Sequence, residues 1–133
     1  MKSLPKPTDM GWVYFIADDD YQFIKVGFSR NVERRLAAIQ DGGPLSLHIV
    51  DEFPGDITDE QSVHAILKEH RLRGEWFAAE AAMDFLEEAE AARRRIVIKR
   101  HFKPAVHKDE AAIMTLLENV TMREILFERG GLL

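Results

Sequence analysis

Tyr14, Lys25, the neighbouring pair Arg34 and Arg35, and Glu60 are side chains whose chemistry suits a phosphate ester. Hydrolysing a phosphodiester needs an oriented water, a group to take its proton, positive charge on the phosphoryl oxygens and help for the departing oxygen. Arginine suits the phosphoryl oxygens, because its planar fork binds two of them and it keeps its charge. A carboxylate suits Mg²⁺, which favours oxygen ligands and keeps several waters, so one glutamate can be enough protein ligation. A lysine adds a point charge, or serves as a base if burial lowers its pKa. A tyrosine orients the water or, less easily, accepts its proton. Each also has an ordinary reading. Tyr14 would be a cross-strand core aromatic, Lys25 a solvent-facing strand lysine, the arginines surface charges, and Glu60 a first-turn acid favoured by a helix dipole.

The charge pattern is mixed. The net charge is −5 and the pI near 5.5, which argues against a protein that coats nucleic acid non-specifically. Yet Lys25, Arg30, Arg34 and Arg35 lie close together, and Lys68, Arg71 and Arg73 form a second group. A local basic surface is compatible with this pattern, as are solvated helix faces. The five histidines are scattered without paired metal-ligand spacing. Of them His64 is the candidate for a site role, and His101 and His107 read as structural or exposed. With no cysteine there is neither a disulfide framework nor a thiolate metal site. No apolar run reaches the roughly 20 residues of a membrane helix. The N-terminus, with prolines at 5 and 7 and no apolar core, is not a secretory signal. A soluble cytoplasmic protein is the expectation.

These residues need elements to hold them. Residues 11–16 are rich in aromatic and β-branched types and predict a strand; residues 22–27 predict a second, and Asp18-Asp19-Asp20 turns between them. Ser29 or Asn31 caps a helix, and Asn31 would put Val32, Leu36 and Ile39 on one face. Asp41-Gly42-Gly43-Pro44 stops it. Residues 45–53 predict a third strand. Thr58 or Asp59 caps a helix with Val63, Ile66, Leu67 and His70 inward, ending at Arg73-Gly74. Further helices are expected over about 79–94 and 109–128, with residues 96–98 ambiguous between strand and helix tail, and Pro104 as a break.

The ordered set resembles the GIY-YIG nuclease superfamily. Trp12-Val13-Tyr14 stands where the Gly-Ile-Tyr triplet stands, and Lys25-Val26-Gly27 where Tyr-Ile-Gly stands. From Gly27 to Leu36 the run matches the family's Gly-x-x-x-Asn-Leu-x-x-Arg-Leu pattern. Glu60-Gln61-Ser62-Val63-His64, and then Arg71-x-Arg73-Gly74-Glu75-Trp76-Phe77, look like the phage and bacterial branch with lysine in its second triplet and a Gly-Glu-Trp-Phe ending. The resemblance covers about half the chain.

The resemblance implies a metal-dependent endonuclease acting on DNA, RNA not excluded, as monomer or homodimer. It implies Tyr14, Lys25 and Arg35 as catalytic residues, with Arg34 as fallback clamp, and Glu60 as ligand of one Mg²⁺ or Mn²⁺. Arg30, Arg34, His64, Arg71 and Arg73 become candidate nucleic-acid contacts. Glu75 is weaker, because Gly-Glu-Trp-Phe would serve mainly to anchor Trp76 in the core. The fold expected is α+β: a three-stranded antiparallel sheet flanked by helices over residues 11–103, a flexible lead at 1–10, and a helical extension at 104–133 packed on the same domain. Two other readings stay open: a catalytically silent nucleic-acid-binding module, and a protein-interaction module using the last helix.

Overall fold

The computed structural model describes residues 9–101 and 116–129. Most of the expected lead, Pro104, His107 and the first part of the expected last helix lie outside the described residues. The order is β1 (Gly11–Asp18), β2 (Phe23–Ser29), α1 (Val32–Asp41), β3 (Leu47–Gly55), α2 (Ile57–Ile66), a short 3₁₀ turn (Lys68–His70), β4 (Arg71–Arg73), β5 (Trp76–Ala78), α3 (Ala79–His101) and α4 (Met122–Glu128).

The fold is α+β, and the sheet has five strands rather than the three expected, in the order β3-β1-β2-β5-β4. All pairs are antiparallel. The two extra strands come from 71–78, where the Gly-Glu-Trp-Phe run belongs to a β4–β5 hairpin and does not anchor Trp76 in the core. Gly74 makes the turn with φ +54°, a left-handed conformation that glycine adopts without a steric cost. Phe77, not Trp76, is the buried member, at 0% exposure, while Trp76 is half-buried.

Strand alternation sorts the core into two faces. Val13, Phe15 and Ala17 of β1 join Ile24 and Val26 of β2 against α2, α3 and α4. Tyr14 and Ile16 turn to the other face and pack with Val32, Leu36 and Ile39 of α1. The predicted α1 face is therefore the observed one, and Asn31 is its N-cap, accepting from the Arg34 backbone N–H at 3.0 Å.

Element boundaries differ from expectation, and α2 ends at Ile66 instead of running to Arg73-Gly74, which leaves His70 exposed in the 3₁₀ turn. Helix α2 is capped by Asp56, not by Thr58 or Asp59. Asp56 accepts from the backbone N–H groups of Thr58 and Asp59, and the Asp59 carboxylate accepts the Asp56 N–H in return. This reciprocal box satisfies donors that a helix start otherwise leaves orphaned. Helix α3 absorbs residues 96–98 as its tail. The last predicted helix is interrupted at 118–121, where Thr121 opens α4 as a new N-cap with Glu124 completing its box. Met122, Ile125 and Leu126 of α4 are at most 1% exposed, so this element completes the core. No helix among the described residues is long and apolar enough to cross a membrane.

Candidate functional site

The α1 face of the sheet gathers the site. Tyr14 is opposite Gly27 on β2, and Lys25 is opposite Ile16. A Cβ on residue 27 would land on the Tyr14 hydroxyl and ring, so glycine is what admits the phenol there. Arg35, on α1, interacts electrostatically with the Tyr14 hydroxyl; of the arginine pair, it is this one that acts on the buried phenol.

Helix α2 lies on the opposite side of the sheet, and the open edge of β2 lets it reach this face. Strand β5 follows β2 only as far as the Val26 N–H, which donates to the Glu75 carbonyl at 3.0 Å. Beyond it the Val26 carbonyl would be orphaned, and His64 Nε2–H donates to it at 2.8 Å. The His64 ring also meets Phe77 edge-on at 5.0 Å between centroids. One turn earlier, Glu60 Oε1 is 3.7 Å from His64 Nε2. From β5's side, Glu75 Oε1 accepts from Lys25 Nζ at 2.9 Å, and the Lys25 ammonium stands 5.7 Å from the Trp76 ring centre.

Glu60, His64 and Glu75 thereby present ligand atoms all within 4.8 Å of one another. Glu60 is 6% exposed, and burial, with Glu75 adding to it, pushes its pKa up while His64 and Lys25 pull it down. A buried carboxylate short of neutralising charge, beside a second carboxylate, fits a divalent cation. Glu60 is the better oxygen donor for Mg²⁺. His64 Nε2 is already committed to the Val26 carbonyl, and Glu75 is shared with Lys25. Tyr14 is 1% exposed, and burial raises its phenol pKa, an effect the interaction with Arg35 only partly offsets and the charges of Glu75 and Glu60 reinforce.

A family model for the T5orf172 domain matches residues 11–97, more than half of the chain. The chain belongs to the T5orf172 domain family. The domain is found in phage-related and nuclease-like proteins, which points to a nucleic-acid-related role. No curated protein and no solved structure matches the chain.

Within the T5orf172 domain the other sequence candidates spread outward. Arg30 and Arg34 are exposed where α1 begins. Arg71 and Arg73 are exposed on the edge strand β4, Arg73 in register with Trp76, which is in register with Lys25. The Arg71 guanidinium lies 5.5 Å from the Phe77 ring centre.

One contributor lies outside the matched residues. Arg123 of α4 donates through Nη2 to both oxygens of Asp56 at 3.1 Å and to the Thr58 hydroxyl at 3.0 Å, and through Nε to Asp59 Oδ1 at 3.2 Å. Burial works against ionisation of Asp56, but hydrogen bonds from Thr58, Asp59 and Arg123 hold its pKa down to about 2. Asp59 is pushed the other way by burial. The α2 start, one residue before Glu60, is thus fastened to the C-terminal helix. Arg123 had no motif to flag it, and Glu75 could be joined to Lys25 only once the β2–β5 register was known.

Proposed function

We propose that this T5orf172 chain is a metal-dependent endonuclease of GIY-YIG type that hydrolyses phosphodiester bonds in DNA. The observation that carries this reading is the convergence on one face of a clamp, Arg35 on Tyr14, with a carboxylate cluster, Glu60 and Glu75, around Lys25.

Glu60 would hold one Mg²⁺ or Mn²⁺, with Glu75 beside it and His64 fixing the α2 turn through the Val26 carbonyl. Bound there, the cation would supply positive charge to the phosphate and the departing oxygen. Arg35 clamps two phosphoryl oxygens, and its interaction with Tyr14 favours its charged form. Tyr14, its phenol pKa raised by burial, is placed to orient the attacking water and, less easily, to accept its proton. Lys25, engaged as a donor to Glu75, contributes a fixed positive charge between the two. Arg30, Arg34, Arg71 and Arg73 would track the flanking phosphates, acting locally on a chain whose net charge is −5.

The test is plasmid and branched-DNA nicking with Mg²⁺ or Mn²⁺, comparing the wild type with Arg35→Ala and Glu60→Ala. The expected loss is about 10²–10³-fold for Arg35→Ala, as for removal of one transition-state charge donor. Glu60→Ala should abolish the metal response. Metal-dependent cleavage unchanged by both substitutions would overturn the site. Salt-sensitive DNA binding with no cleavage under any metal would favour the catalytically silent module.

A further inference from the structure

Beside the clamp runs a groove of about 450 Å³, bounded by Arg35 and Ile39 of α1, by Pro44, Leu45 and Leu47 of the following loop and strand, and by Trp76 of β5. It shares Arg35 with the candidate site, and Trp76 stands next to Lys25. Among the described residues, no carboxylate lines this groove. A second cavity of about 470 Å³ differs: Glu80, Asp84 and Glu88 line it with His70 and Arg129, the arginine already paired to Glu88, so acid outweighs base there and disfavours a phosphodiester strand. An aromatic ring, aliphatic walls and one arginine are the lining that takes a base with its phosphate held at the mouth.

We propose that this groove binds one unpaired nucleobase next to the scissile phosphate, stacked on Trp76, and so selects substrates with a single-stranded or unstacked nucleotide at that position. The proposal rests on the nuclease reading of the adjacent site. The geometry supporting it is local. Arg35 would hold the phosphate where the two sites meet. The Gly42-Gly43 backbone, also on the lining, leaves room that larger side chains would fill. The base edge would face aliphatic walls, so a flat aromatic shape matters more than a particular hydrogen-bond pattern, and the site should tolerate several bases.

Trp76 is one of two tryptophans, so Trp12→Phe makes it the sole indole reporter. In that background, with Glu60→Gln to prevent turnover, the full chain is titrated with a single-stranded oligonucleotide. It is then titrated with versions carrying one abasic nucleotide at each position in turn. Binding should quench Trp76 emission, and an abasic site at one position should weaken affinity about ten-fold, as expected when one stacked base is lost. Ala38→Phe, placed on the exposed side of α1 to fill the groove, should erase that positional preference while leaving the salt dependence of binding intact. Binding with unchanged Trp76 emission and equal loss at every abasic position would overturn the groove but leave the phosphate site standing. Failure to bind any oligonucleotide at low salt would overturn the nucleic-acid reading and the groove together.

Discussion

Tyr14 occupies the space that a Cβ on Gly27 would need, and two predictions belong to this pair. Gly27→Ala must displace the Tyr14 phenol and with it the interaction with Arg35. Overpacking of this kind costs about 1–3 kcal/mol, so the variant should remain folded in a thermal melt while cleavage drops at least ten-fold. Tyr14→Phe keeps the ring and removes only the hydroxyl. Because burial holds the phenol protonated through neutral pH, the variant should cleave more slowly but keep the wild-type pH profile up to about pH 9. A profile whose basic limb vanishes in Tyr14→Phe would instead make Tyr14 the proton acceptor. The resemblance to the GIY-YIG pattern pointed to Tyr14, Lys25, Arg35 and Glu60; residue type alone could not, in a chain with 18 Lys and Arg and 23 Asp and Glu. The pairing of Lys25 with Glu75 was hidden, since 50 residues separate them and only the β2–β5 register joins them.

At the scale of elements, hydrophobic alternation and breaker residues revealed the β1–β2 hairpin, α1 and its Asn31 cap. The β4–β5 hairpin escaped because Arg71-Leu72-Arg73 is short and exposed throughout, with no inward residue to mark a strand period. The α2 cap was misplaced for a related reason: Asp56, Thr58 and Asp59 all have capping chemistry, and they share one box. That box makes a pH prediction. The Asp56 carboxyl has a folded pKa of about 2, against an ordinary 3.8, so its contribution is present above pH 4 and is lost as pH falls toward 2. The shift corresponds to about 2 kcal/mol of stability. Urea unfolding at pH 5 and pH 2.5 should show this loss in the wild type and a smaller one in Asp56→Asn. The substitution should also cost about 1 kcal/mol at pH 5 for the weakened cap and ion pair.

Over the whole molecule, α4 and α2 are joined by charge as well as by apolar packing. Arg123 is 39% exposed, and after allowance for solvent screening its removal should destabilise by only about 1 kcal/mol. Its effect on the site should exceed that figure, because Glu60 follows directly on the residues it holds. Arg123→Ala should therefore weaken Mn²⁺ binding several-fold, read by calorimetry well below the melting temperature, and Arg123→Lys should restore part of it. Equal metal affinity in all three forms would confine Arg123 to stability. The same strap bears on recombination. A gene segment encoding only the T5orf172-matching residues 11–97 would carry Tyr14, Lys25, Arg35, Glu60 and Glu75, yet would leave Asp56 and Asp59 without their cation. Grafting the domain into another protein is then a problem of supplying one guanidinium in the right place, and fusions that happen to provide it should be the ones that work.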